Sequence, residues 1–304
     1  MSIRSPQLSF FLPTFTPEDP HGWNWLRAIV LVAEESGIDR VVCSDHVVFG
    51  EDFDAYADPK AGGRIGGRQP TGPDGHWLDP LTVLTWIAGF TSNVRLGTNI
   101  VIAALRRPAV LAKELATLDV LSGGRVDLGV GVGWQRAEYE AAGLPFEGRG
   151  RLLDHTLEVC QTLWRQQRAS FEDEFLRFDG IHQMPKPLQP GGVPIWISGR
   201  LNGNVLRRLA TFGSGWIPWG EDGDNLALRV PQLKEKLRAA GRDDADELQV
   251  VGTLPMFDGA MEEAATASLV EAGVTDFRIS LTRERSVDLA KVSALVESFH
   301  AAFG

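Results

Sequence analysis

Hydrophobic positions along this chain follow two periods. Short apolar runs rich in Val, Ile and Leu are separated by segments whose apolar residues return every three to four positions. The first pattern suits strands buried on both faces, and the second suits amphipathic helices. The clearest unit covers residues 94–134. VRLGTNIVIA predicts a strand over 94–103. Pro108 sits just inside the next helix, where Leu111, Leu115 and Leu118 share one face. Gly123-Gly124 stops that helix, and residues 125–132 predict a second strand. This strand carries Gly129 and Gly131, and Gly133 follows. Bare glycines at the end of a parallel strand let backbone approach a ligand.

The same alternation occurs eight times. Strands are predicted over 8–15, 40–46, 94–103, 125–132, 193–198, 215–219, 248–256 and 275–281. Helices are predicted over 24–36, 79–90, from 108, over 136–142 with 149–164, and over 204–212, 226–240, 261–272 and 288–303. A closed barrel and a doubly wound sheet both satisfy the right-handed crossover rule. Eight even repeats favour a (β/α)8 TIM barrel, a single domain over residues 1–304. Two stretches exceed ordinary loops: 47–77 after the second strand and 144–190 after the fourth. Long loops at the C-terminal ends of barrel strands carry specificity, so both are expected to shape the pocket.

Composition narrows the partners. The chain has 304 residues, 43% hydrophobic, with a net charge of −10. That acidity argues against a nucleic-acid partner. No apolar run reaches the roughly 18–20 residues of a membrane span. The N-terminus does not read as a signal peptide. Two distant cysteines, Cys43 and Cys160, lie in apolar runs and read as buried thiols, compatible with a reducing cytoplasm. No His pattern supports a metal site.

Barrel chemistry sits at strand C-termini, which selects few candidates. Asp45-His46 after the second strand is the best acid–base candidate. The Gly129-x-Gly131-x-Gly133 spacing is not a dinucleotide fingerprint, but it can receive a ring or phosphate. Ser198-Gly199-Arg200, followed by Asn202 and a helix start, is a plausible anion cradle. Trp134 and Trp219 at strand ends can line a pocket.

Together, SDH after a buried strand, LGTNIVIAALRRPAVLAKELATLDVLSGGRVDLGVGVGW, EYEAAGLPFEGRGRLLDHTLEVCQTLW and PIWISGR resemble the luciferase-like monooxygenase superfamily. The nearest likeness is to its branch dependent on coenzyme F420, a deazaflavin. The resemblance implies a TIM barrel that binds F420 or FMN at the strand C-termini. It implies a bulged third strand with a non-proline cis peptide, at Asn99-Ile100 here, supporting the tricyclic ring. It places the family's strand-two histidine on His46, with Asp45 before it. It assigns cofactor contacts to Gly131, Gly133 and Trp134, and to Ser198, Gly199 and Arg200. It also implies a homodimer through outer helices. Two departures stand out. Trp134 replaces the catalytic Glu of F420 sugar-phosphate dehydrogenases, and Val132 replaces the phosphate-binding Arg of bacterial luciferases. The expected function is hydride transfer between F420 and a small organic substrate. A reduced-FMN monooxygenase using O2 and a non-catalytic cofactor-binding barrel are the alternatives.

Overall fold

The computed structural model describes residues 5–257, 259–280 and 288–304. Eight parallel strands close into a barrel: β1 (Gln7–Phe11), β2 (Arg40–Cys43), β3 (Arg95–Thr98), β4 (Val126–Val130), β5 (Ile195–Gly199), β6 (Gly213–Pro218), β7 (Gln249–Thr253) and β8 (Asp276–Ser280). Each strand pairs with its neighbours in sequence, and β1 pairs with β8 from Gln7↔Asp276 to Phe11↔Ser280. The predicted barrel is therefore the observed one. The last predicted strand residue, Leu281, lies outside the described residues.

Strand ends differ from expectation for local reasons. The predicted first strand stops at Phe11. Leu12 still donates to Val42 O at 2.8 Å, but Pro13 has no N–H to continue the ladder. Phe15–Thr16 instead pairs antiparallel with His76–Trp77 above the barrel. The predicted third strand breaks after Thr98, where the Asn99-Ile100 peptide is cis. Pairing resumes through Val101, whose amide donates to Gly129 O at 2.8 Å. The predicted seventh strand ends at Met256, which with Phe257 forms a two-residue ribbon with Ala260–Met261.

The helices begin where the sequence marks them. Asp79 caps Pro80–Ala88 by accepting from the Thr82 amide at 2.8 Å. Pro108 opens Pro108–Leu121, whose buried face includes Leu111, Leu115 and Leu118. The main core lies between the barrel and this helical ring. No helix among the described residues is long and apolar enough to cross a membrane.

The barrel interior is filled differently. Near the strand N-termini, Arg40 donates to Asp127 at 2.9 Å and pairs with Asp276. Arg95 holds Asp127 from the side with two bonds of 2.7 Å. Above them Trp196, Ile217 and Val251 form a small separate apolar cluster, with Ile100 packed against it. Gly129 is required here because a Cβ would come within 2.1 Å of Thr98 O.

One expectation needs correction. Residues 144–190 do not form a loop over the strand C-termini. Helix Arg149–Arg165 carries the chain back toward the opposite end of the barrel, as helices in this architecture do. The ribbon Ala169–Glu172 with Arg177–Ile181 follows and lies on the outer helices. Asp173 contacts His155 at 2.6 Å, and the Leu188 amide donates to Asp119 at 2.7 Å.

Candidate active site

The strand C-termini surround a cavity of about 590 Å³. Its side wall starts at β2. Beyond Cys43, Ser44, Asp45 and His46 all line the cavity.

Asp45 and His46 have different surroundings. Asp45 Oδ2 accepts from the Ile102 amide at 2.8 Å and from Arg106 Nη1 at 2.6 Å. Its Oδ1 accepts from Arg106 Nη2 at 3.0 Å. Both oxygens are thus committed, and the residue fastens the end of β2 to the turn after β3. This corrects the expectation that Asp45 completes an acid–base pair with His46. Burial works against the charge on Arg106, but Asp45 and Asp79 outweigh it and raise its pKa.

His46 is instead oriented by a residue 92 positions away. Its Nδ1 lies 3.3 Å from Glu138 Oε1, and Glu138 Oε1 also accepts from the Val47 amide at 2.9 Å. The Glu138 side chain is fully buried, and its Oε2 has no partner among the described residues. On the other side, His46 Nε2 lies 3.5 Å from Gln69 Nε2. A carboxylate oxygen accepts, so this contact suits the tautomer with its proton on Nδ1, in which Nε2 is the acceptor. Glu138 was missed in the sequence. Its one signal is a carboxylate on a single helical turn, Arg136–Ala141, just past the glycine-rich end of β4. Nothing local to Glu138 points to His46.

The roof comes from residues 47–77. Trp77 stacks on Phe15 at 4.3 Å and meets His46 edge-on at 4.7 Å. Tyr56 packs between Trp134, 5.2 Å away, and Trp219, 5.9 Å away. Burial raises the Tyr56 pKa against the pull of Arg64, so its hydroxyl stays neutral. Trp219 donates to Gly62 O at 3.1 Å, tying the roof to the end of β6. Arg149 donates to Ala61 O at 2.9 Å from the helix below.

Opposite the roof, Asn99 and Ile100 line the cavity with Gly131, Val132 and Gly133. A Cβ at Gly131 would meet Ile100 Cδ1 at 2.9 Å, so glycine lets this wall lie flat. Ser198 and Gly199 also line the cavity, whereas Arg200 does not. Arg200 is half-exposed and lies 3.7 Å from Glu221. Asn202 Oδ1 already accepts from the Asn204 and Val205 amides, each at 3.0 Å. The predicted anion cradle is therefore reduced to Ser198 and Gly199. The helix-start amides meant for a phosphate are capped from within.

These walls suit a flat ring with a polar edge. Ile100, Ile217 and Val251 supply apolar surface. Ser44 Oγ, Trp134 Nε1 and Arg278 Nη1 belong to cavity-lining residues, are buried, and have no partner among the described residues. Buried donors without partners are uncommon in native structures, and a bound group can satisfy them.

Comparison with known proteins agrees with this geometry. The luciferase-like monooxygenase family model matches residues 7–295. An uncharacterised protein of Mycobacterium tuberculosis is 34% identical over 224 residues, covering 74% of this chain and 76% of its own. An F420-dependent glucose-6-phosphate dehydrogenase of Kineococcus radiotolerans is 33% identical over 225 residues, 72% of this chain and 60% of its own. Among solved structures, an F420-dependent secondary alcohol dehydrogenase in complex with an F420-acetone adduct superposes with a TM-score of 0.71. That match has 18% identity and covers 98% of this chain and 99% of the other. The chain belongs to the luciferase-like monooxygenase family, and with it to the oxidoreductases.

Proposed function

We propose that this chain is an F420-dependent oxidoreductase acting on a small, uncharged organic substrate. The observation that carries this reading is His46. It is a buried imidazole at the cavity wall, oriented by Glu138 through one nitrogen and facing Gln69 at 3.5 Å through the other. The choice of F420 over FMN is supported by the names of relatives near 30% identity.

Bound F420 supplies a ring carbon that takes up or releases a hydride. The chain's own residues do the rest. Asn99, Ile100, Gly131 and Gly133 would hold the ring, and Ser198 and Gly199 would receive the start of its tail. An alcohol that loses a hydride, and with it two electrons, also loses its hydroxyl proton as C–O becomes C=O. His46 Nε2 takes that proton, and returns it when a ketone is reduced. Asp45 has a positioning part through Arg106 and the Ile102 amide. Tyr56 and Trp77 of the roof, with Trp134 and Trp219 beside the ends of β4 and β6, would face the substrate, with Arg64 exposed at the edge. Rings in this arrangement favour an apolar or planar substrate over a sugar phosphate. Trp134 standing in place of the sugar-phosphate enzymes' Glu supports the same choice. A homodimer, as the family resemblance implies, belongs to this reading.

Fluorescence titration tests the cofactor. Tight F420 binding with weak FMN binding is expected. Micromolar FMN binding with no F420 signal overturns the reading in favour of a reduced-FMN monooxygenase. His46→Ala tests the mechanism. Turnover should fall by about 10²–10⁴-fold, the usual contribution of a positioned acid–base group, with F420 affinity nearly unchanged. Unchanged turnover would mean that His46 moves no proton.

A further inference from the structure

The barrel floor holds a guanidinium that its surroundings do not satisfy. Arg278 on β8 lines the cavity, yet only 8% of its surface is exposed. Its Nε donates to Asp276 Oδ1 at 3.1 Å. Its Nη1 is buried without a partner among the described residues. The neighbouring carboxylates are shared with other groups. Asp276 Oδ2 accepts from Ser9 at 2.8 Å and from Arg40. Asp127 is held by Arg40 and by both arms of Arg95. Arg40 also lies 4.7 Å from the Trp196 ring, which leaves Arg278 farther off at 6.0 Å. A buried guanidinium with one carboxylate oxygen for company is unusual, because an under-paired buried charge is costly. Burial lowers the Arg278 pKa and Arg40 adds to it, against the pull of Asp276 and Asp127.

We propose that Arg278 is the counter-charge for the electron-rich edge of the reduced ring cofactor and makes the site prefer the reduced form over the oxidised one. The inference rests on the proposed ring-cofactor reading. Flavins and deazaflavins both end in a pyrimidinedione edge, and reduction concentrates negative charge there. A fixed cation beside that edge strengthens binding of the reduced form and tunes the potential. A hydrogen bond to a charged group is worth roughly ten- to a hundredfold in affinity. Arg278 touches no substrate in this account. It acts on hydride transfer by favouring one redox state of the cofactor.

Dissociation constants for oxidised and reduced F420, measured anaerobically, test this without any substrate. Wild type should bind reduced F420 at least about tenfold more tightly. By linkage, the bound midpoint potential then rises by about 30 mV over free F420. Arg278→Met should remove that preference while affinity for oxidised F420 stays within about threefold. Arg278→Lys, which keeps the charge, should retain part of it. Equal wild-type affinity for the two forms overturns the proposal, even if the Met variant does not fold. So does an Arg278→Met variant that weakens both forms alike or keeps the wild-type ratio. If the protein binds FMN and not F420, the F420 reading fails, and the same ratios with oxidised and reduced FMN decide the role of Arg278. If it binds neither, both proposals fall.

Discussion

The two long insertions have different fates. Residues 47–77 leave the barrel at the C-terminal end of β2 and return to it as a roof. They place Tyr56, Gln69 and Trp77 on the cavity. Residues 144–190 start near the end of β4, but their length is spent elsewhere. The helix Arg149–Arg165 takes the chain to the other end of the barrel, and the ribbon that follows covers outer helices. Among the described residues, none from 144–190 lines the cavity. An insertion shapes a barrel's active site according to which end of a strand it occupies, and length alone does not decide this.

The sharpest way to break this contrast is to cut each insertion. Replacing residues 53–64 by a short Gly-Ser linker removes Tyr56 and the carbonyls that hold Trp219. Turnover should fall at least about a hundredfold, the scale expected when reacting groups lose their positioning. The variant should still melt cooperatively, since the core lies between barrel and helices. Survival of activity would show that the roof is dispensable.

Next in size is Glu138→Gln, which keeps an acceptor for the Val47 amide but replaces the carboxyl group facing His46 with an amide. It should lower kcat by about ten- to a hundredfold, part of the 10²–10⁴ a positioned acid–base group supplies. The pH–rate profile should move with it, and F420 affinity should not. An unchanged profile would remove Glu138 from the mechanism.

Trp77→Ala should raise KM by about three- to tenfold. That corresponds to the roughly 0.5–1.5 kcal/mol that aromatic pairs add beyond burial. Steady-state kinetics with any accepted substrate would show it, and a KM unchanged within error would place the substrate away from the roof.

The smallest effect on activity belongs to Asp173→Asn on the outer ribbon, where kcat/KM should stay within about twofold, as for a substitution remote from the site. Stability should respond instead. Burial would raise the Asp173 pKa, but the Phe175 and Leu176 amides and His155 outweigh it and hold the carboxyl below its ordinary value. A lowered native pKa contributes stability above the ordinary value of about 3.9, and that contribution is lost as pH falls through the native value. Wild type should therefore melt above the variant at neutral pH, and the gap should close below about pH 4. A gap that persists in acid would assign the difference to packing.

Local pattern made the framework legible. Pro80, Pro108 and the Leu111–Leu115–Leu118 face marked helices that form where expected. His46 was found because a strand's C-terminal end is a chemical address in a barrel. Asp45 was harder, because a carboxylate beside a histidine has the same sequence whether it serves the histidine or, as here, an arginine 61 positions on. Arg200 was drawn into the site by a plausible anion motif, but Asn202 had already capped the helix it pointed to. Glu138 carried only the signal of its place just past the glycine-rich end of β4, and Arg278 carried none.

From sequence alone came the period of each segment, the order of strands and helices, and the strand ends where ligands meet backbone. These follow from local sterics and from the burial of one face, which nearest neighbours in the chain determine. Tertiary structure decided which insertion became the roof, which carboxylate faces His46, and that Arg278 lies under-paired beneath the cavity. Each of these depends on contacts between residues tens to hundreds of positions apart. Barrel closure creates those contacts, and no local pattern encodes them.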